Sequence, residues 1–397
     1  MKKQFQLKMV SAAVAVGLMA AASVASAQVV GGGATLPERL YGATTAPTGI
    51  FVEPSLGFTD FSYTGVGSGG GKAGFLNNNP ASINSTAPNV HFAGSDSVLS
   101  ASELSTYEAN RLATWGPLIQ VPAAGTSVVI PFNKAGSNEV NLLPALMCRI
   151  FAGTVANWSQ IPGSGRSGPI TVVYRAGSSG TTELFTRYLT AACSGVTLTS
   201  STLKPDANGT PRFATTSTFA QLFVNNTPPA NFIEATGSQG VIDALGAAEG
   251  RITYISPDFI EGPLDGDNIA RVRGAAPTTE NVIAALGTSA PPSGAARDNP
   301  ANWVPTFANP SQGYPIVGYT NFIVGQCYQN PAVQQRILDL IEAHVFGDFD
   351  AKVVEHRFIP LPPATKAAIL QAFVEGSDGR NLNVGNATEC NGVGRPS

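Results

Sequence analysis

Arg175, Asp96 and three short runs of glycine mixed with hydroxyl residues stand out as groups able to bind a charged ligand. The runs are GGGATLP (31–37), VGSGGGK (66–72) and YRAGSSGTT (174–182), each read as a turn between an apolar strand and a helix start. Such a turn aims backbone N–H groups and hydroxyls from the positive end of a helix dipole, which suits an anion. The third run adds a guanidinium at Arg175, and a fourth segment, AGSDS (93–97), adds the Asp96 carboxylate. Each feature also has a structural reading. Ser179 caps a helix with Glu183 in its first turn, and Asp96 suits an Asx turn. It is the set, one turn led by arginine, that points to an anion site.

Other chemistries find less support. Gly65-Val66-Gly67-Ser68-Gly69-Gly70 formally fits GxGxxG after a strand, but a lone match is weak evidence for a dinucleotide. Gly71-Lys72 lacks the preceding Gly and the following Ser/Thr of a P-loop, with Val66 and Ala73 at those places. There is no GxSxG elbow, and none of His91, His344 and His356 shares a loop with these serines, so no catalytic residue is assigned. Without CxxC or HxxxH, no metal ligands are assigned either, and no cofactor is expected.

The elements that must position these groups alternate between strand and helix. FTDFSY (58–63) reads as a strand with Phe58, Phe61 and Tyr63 alternating, NVHFAG (89–94) as a short strand, and 118–133 as a long β-rich stretch interrupted by Ala-Ala-Gly. A helix is predicted over 142–153, a strand over 170–175, and a helix over 181–193 with Leu184, Phe185, Tyr188 and Leu189 on one face. The Pro/Gly/Ala-rich region 262–314 reads as surface loop and 314–325 as strand. Two helices close the chain, one capped by Asn330 with Pro331 first, the other over 364–376. This order is that of an α/β fold, and 397 residues favour two domains. The 43% hydrophobic content excludes a disordered chain, and 43 Gly with 29 Pro exclude a helical bundle. A formal charge of −3 offers no field for nucleic acid.

Residues 1–27 read as an export leader: Lys2, Lys3 and Lys8, an apolar stretch, then Ala25-Ser26-Ala27 as a cleavage site. Its removal leaves 20 basic against 26 acidic residues. In the oxidising compartment this implies, Cys148, Cys193, Cys327 and Cys390 form disulfides. Three pairings are open; spacing favours Cys148–Cys193 and Cys327–Cys390, each within one domain.

GGGATLP, YTGVGSGGGK, FAGSDSVLS, CRIFAGTVANWSQI and ITVVYRAGSSGTTELFTRYL, in that order, resemble the phosphate-binding proteins of bacterial phosphate ABC transporters, the PstS family. The closer likeness is to its DING subgroup, marked by GGGATLP; Val29-Val30 stand here in place of that group's name residues, and little is matched between about 200 and 310. The resemblance implies a two-lobed periplasmic binding protein (type II), with the ligand in the interlobe cleft and the chain crossing between lobes twice. Lobe one would be 28–121 plus 314–397 and lobe two 122–313, with crossings near Pro122 and Tyr314.

Carried over by residue, Thr35, Leu36 and Ser68 would donate to phosphate, Asp96 would accept, and Arg175, Ser179, Gly180 and Thr181 would donate from the other lobe. Gly177 stands where the family often has an Asp that orients the arginine. The resemblance further implies a monomeric, non-enzymatic periplasmic receptor that hands inorganic phosphate to the membrane permease subunits of an ABC transporter. An exported phosphatase acting on monoesters, and a surface adhesin or structural domain in which the turns are only turns, are the rival readings.

Overall fold

The computed structural model describes residues 28–42 and 48–397; the expected leader, 1–27, lies outside the described residues. In chain order the first elements are β1 (Val29–Gly33), α1 (Glu38–Tyr41), β2 (Phe61–Gly65), α2 (Ser68–Asn77), β3 (Phe92–Ser95), α3 (Ala101–Asn110), α4 (Leu112–Trp115) and β4 (Leu118–Ser127). There follow β5 (Phe132–Asn133), β6 (Asn141–Leu142), α5 (Pro144–Phe151), β7 (Thr171–Arg175), α6 (Gly180–Ala192), β8 (Phe232–Ala235), α7 (Gly237–Gly246) and β9 (Arg251–Ile252). The last are β10 (Arg271–Val272), α8 (Thr279–Leu286), β11 (Val317–Gly325), α9 (Pro331–Phe346), α10 (Asp350–Glu355) and α11 (Pro363–Ile369).

Two sheets organise the molecule. The first has five strands in the order β2-β1-β3-β11-β4, with β1 parallel to β2 and β3 and with β11 antiparallel to β3 and β4. The second has the order β5-β9-β7-β8, and β10 pairs with β6 beside it. The chain leaves the first sheet after β4 and returns to it at β11, so it passes between the two layers twice. This is the mixed α/β, two-lobed type II arrangement implied above.

Several local expectations are corrected. GGG (31–33) is strand, not turn: it lies in β1, where a side chain on Gly31 would enter the Phe92 ring at 2.4 Å. Gly69–Gly71 belong to the first turns of α2, and a Cβ on Gly71 would stand 2.5 Å from Gly33 Cα. β4 runs unbroken through Ala123-Ala124-Gly125, its irregularity being a bulge where the register slips opposite Thr320 and Asn321. The helix predicted from 142 begins at Pro144, since Leu142 pairs in β6, and α11 is followed by a π turn over Leu370–Val374. The region 262–314 carries β10, α8 and a buried Trp303, so it is not only surface.

Both disulfides favoured by spacing are present. Cys148–Cys193 ties α5 to the end of α6 across 45 residues, and Cys327–Cys390 ties the chain after β11 to the C-terminal segment across 63. Closing a loop of the first size restricts the unfolded chain by about 4 kcal/mol in the chain-entropy treatment. Replacing Cys148 and Cys193 together by Ser should lower the urea-unfolding free energy by up to about that amount; a loss under about 1 kcal/mol would show that the unfolded chain is already compact there.

Candidate functional site

The strand ends of the two sheets carry the predicted residues to one place. From the first sheet come the turn after β1 with Thr35 and Leu36, the start of α2 with Ser68, and the turn after β3 with Asp96. From the second come Arg175 at the last residue of β7 and Ser179, Gly180 and Thr181 at the start of α6. Arg175 Nη1 donates to Thr35 Oγ1 at 2.6 Å across the cleft. A Cβ on Gly180 would meet Asp96 Cβ and Ser68 Oγ, each at 2.5 Å, so only glycine lets α6 come this close to them. Likewise a Cβ on Gly67 would lie 2.5 Å from Ser178 O and 3.4 Å from Arg175 Nη2. The Ser68 hydroxyl accepts from the Asp96 N–H at 3.1 Å. Ser179 caps α6 by accepting from Thr182 N–H, while the amides of Gly180 and Thr181, at the helix start, have no intrahelical partners.

Leu36 takes part only through its backbone. Its side chain is wholly buried in the core, and its carbonyl accepts from Ser256 Oγ of the other lobe at 3.2 Å. Lys72, the charged residue of the second run, turns away and pairs with Glu103 at 3.0 Å. The eight predicted positions therefore converge, two of them, Leu36 and Gly180, through backbone alone.

Electrostatics set the character of the site. Asp96 is 1% exposed, and both of its carboxylate oxygens lack a hydrogen-bond partner. Burial pushes its pKa up to about 7, and the charge of Glu183 adds to this. Thr320, Arg175 and Ser68 pull the other way, although neither hydroxyl makes a well-aligned bond to the carboxylate. Arg175 is also buried; its Nε has no partner, and burial lowers its pKa from the usual guanidinium value against the pull of Tyr254, Glu38 and Asp96. A carboxyl and a guanidinium, each incompletely bonded, thus share one enclosed polar space. Tethered groups of that kind can replace the water shell of a small oxyanion.

Four residues of this environment escaped the sequence reading. Ser238, second residue of α7, donates to Thr35 Oγ1 at 3.0 Å. The Tyr254 hydroxyl lies 3.3 Å from Arg175 N and 2.9 Å from Thr182 Oγ1, joining β7 to α6. Thr320 of β11 faces Asp96. Glu38 is buried, its pKa pushed up to about 7 by burial against the pull of Arg175 and Arg39. With Gly177 in place of the orienting acid, Glu38 and Asp96 are the carboxyls in the field of Arg175. Only Glu38, directly after GGGATLP, had a local signal. The others come from segments with no motif of their own.

Two α/β lobes joined by two crossings, with polar groups from both meeting between them, define a two-lobed binding protein. The family model described as a PBP superfamily domain matches residues 20–347. A phosphate-binding protein from an unknown prokaryotic organism is 45% identical over 396 residues, covering 92% of this chain and 99% of that one. Alkaline phosphatase L of Pseudomonas aeruginosa (strain UCBPP-PA14) is 45% identical over 415 residues, covering 99% and 100%. The solved structure of PfluDING, a high-affinity periplasmic phosphate-binding protein bound with phosphate, superposes with a TM-score of 0.82 at 44% identity, covering 93% of this chain and 99% of that one. The chain belongs to the PBP superfamily and, within it, to the phosphate-binding-protein family that includes the DING proteins.

The Asp96 carboxyl should be visible in stability. Its folded-state pKa stands above the unfolded value, so ionisation favours unfolding and stability is lost as pH climbs from about 4 to about 7. Without ligand, Asp96→Asn should therefore melt above the parent at about pH 8, the gap closing toward about pH 4. Equal melting temperatures at both ends would show that this carboxyl is solvated.

Proposed function

We propose that this chain binds inorganic phosphate with high affinity in the interlobe cleft and serves as the periplasmic receptor of a phosphate ABC transporter. Its phosphate-binding relatives support the ligand. The observation that carries the reading is the buried Asp96, with both oxygens unpartnered, beside Arg175. We take lobe one as 28–121 plus 314–397 and lobe two as 122–313. In this reading Thr35, Leu36 and Ser68 donate from the first lobe; Arg175, Ser179, Gly180 and Thr181 donate from the second. Asp96 accepts a hydrogen bond from the proton that phosphate still carries at neutral pH. Sulfate has none to give, and its lone pairs would face the carboxylate, a buried mismatch of about 1–3 kcal/mol or more. A micromolar dissociation constant needs only about 8 kcal/mol net. Closure around the ion is a population shift toward a state the loaded protein favours, and the permease subunits would read that state.

A second reading, a phosphatase acting on monoesters, is favoured by the name of the Pseudomonas relatives. The Ser68 hydroxyl beside a near-neutral carboxyl would give it a nucleophile and a base. Against it, Gly67 and Gly69 press the α2 start onto the Ser178 loop, which leaves little room for an ester's organic group. The histidines are also engaged elsewhere: His91 accepts from Val30 N–H, His344 lies 3.4 Å from the Tyr41 hydroxyl, and His356 pairs with Asp258.

Calorimetry against phosphate, sulfate and a phosphate ester tests the first reading, and steady turnover of a chromogenic ester by pure protein would instead support the second. Arg175→Ala should weaken phosphate binding by about 10²–10³-fold, since it leaves a buried anion short of its cation; parental affinity would remove Arg175 from the site. Asp96→Asn should narrow the phosphate-over-sulfate preference. The parent should also discriminate less well at about pH 5 than at about pH 8. As pH falls through about 7, Asp96 takes up a proton and can donate to sulfate. A preference independent of pH and unchanged in Asp96→Asn would defeat the acceptor role.

A further inference from the structure

The turn after α10 makes contacts across the cleft that neither the ion nor its ligating residues need. His356 Nδ1 lies 3.1 and 3.2 Å from the two carboxylate oxygens of Asp258, and both side chains are nearly buried. Arg357 Nη1 donates to Gly262 O at 2.6 Å. The same lobe-two segment is gripped from α1, where Arg39 donates to Asp258 O at 3.1 Å and lies over the Phe259 ring at 4.2 Å. His356 and Arg357 belong with the C-terminal helices, whereas Asp258 and Gly262 follow β9.

The backbone of this turn adds an independent observation. His356 is the C-cap of α10, and Arg357, the next residue, has φ +63°. Amides at Arg357 and Phe358 return to Val354 and Val353, the helix-ending turn in which glycine is the usual occupant. An arginine there carries backbone strain that persists only where the surroundings hold it. Two residues on, Ile359 is bonded in both directions to Gly125 of the crossing strand β4, next to the bulge in that strand. The strained turn is thus tied at one end to the crossing strand and at the other to the opposite lobe.

We infer that the 356–357 turn is a latch: its contacts with Asp258 and Gly262 exist only when the lobes are closed and set the closed-state population. They would thereby fix how long phosphate is held without touching it. Apparent affinity scales with the fraction of binding-competent protein, so each contact unique to the closed form strengthens binding. In an open form, water would hydrate both Asp258 and His356, so the pair biases closure without committing the protein to it. The inference rests on the phosphate-receptor reading for its ligand and on the lobes being separable for its mechanism.

Arg357→Gly removes the Gly262 contact and relieves the strain, and His356→Ala removes the Asp258 contact. His356→Asn keeps an N–H donor near the place of Nδ1. The experiment measures phosphate release by stopped flow, affinity by calorimetry, and melting without phosphate. Arg357→Gly should melt no lower than the parent yet release phosphate about two- to fivefold faster; His356→Ala should release it about tenfold faster, and His356→Asn should recover most of the loss. A turn that only packs would change melting and leave release alone, and parental release rates in both Arg357→Gly and His356→Ala would overturn the latch. If the parent itself takes up no phosphate, the receptor reading falls and small-angle scattering of the ligand-free proteins judges the latch separately. Both latch variants should then show a larger radius of gyration than the parent, and equal radii would overturn it.

Discussion

The site depends on holding a carboxyl in a place where water cannot reach it and no protein donor bonds it. Taking an ionised carboxylate out of water is costly unless hydrogen bonds replace the hydration. The hydroxyls of Thr320 and Ser68 and the field of Arg175 offset part of that cost, and burial still raises the Asp96 pKa to about 7. In the proposed receptor a group so poised would be a selector, favouring a partner that brings its own proton over one that brings only lone pairs. Much of the surrounding architecture can be understood as what keeps Asp96 dry and close to the opposite lobe.

That closeness is set by glycine. A single methyl group on Gly180 would collide with Asp96 and Ser68, and one on Gly67 would collide with the Ser178 carbonyl. The strand below, β1, is thinned in the same way, so that α2 settles onto its end with Gly71 against Gly33. The contacts across the cleft are polar and few: Thr35 with Arg175 and Ser238, Leu36 with Ser256, Arg39 and His356 with the Asp258 segment. Polar contacts exchange readily with water, so lobes joined this way can part at modest cost, whereas an apolar seam would hold them shut.

The sheet topology explains why the donors arrive together. In both sheets the contributing strands end at the cleft, and each is followed by a turn or a helix start whose amides point outward from the strand end. β1, β3 and β7 deliver Thr35, Asp96 and Arg175 respectively, although these residues are far apart in the chain. The bulged, fully buried β4 and its partner β11 carry the connection and place Thr320 beside Asp96.

The amino-acid sequence alone determined the local chemistry: the hydroxyl-bearing helix starts, the cap at Ser179, the arginine at a strand end, and two disulfides formed within compact stretches. These follow from short-range rules in which a residue's neighbours in the chain are also its neighbours in space. It misjudged GGG (31–33) and Gly69–Gly71 as turns, because the conformational freedom of glycine looks the same whether it serves a bend or a close approach. That those glycines thin a strand and a helix, and that Ser238, Tyr254 and Thr320 stand around the site, was settled by the tertiary fold alone. It also decided that Asp96 is buried and unpartnered. Burial, and the pKa shift that follows from it, belong to the packing of segments distant in the chain, and no local pattern encodes them.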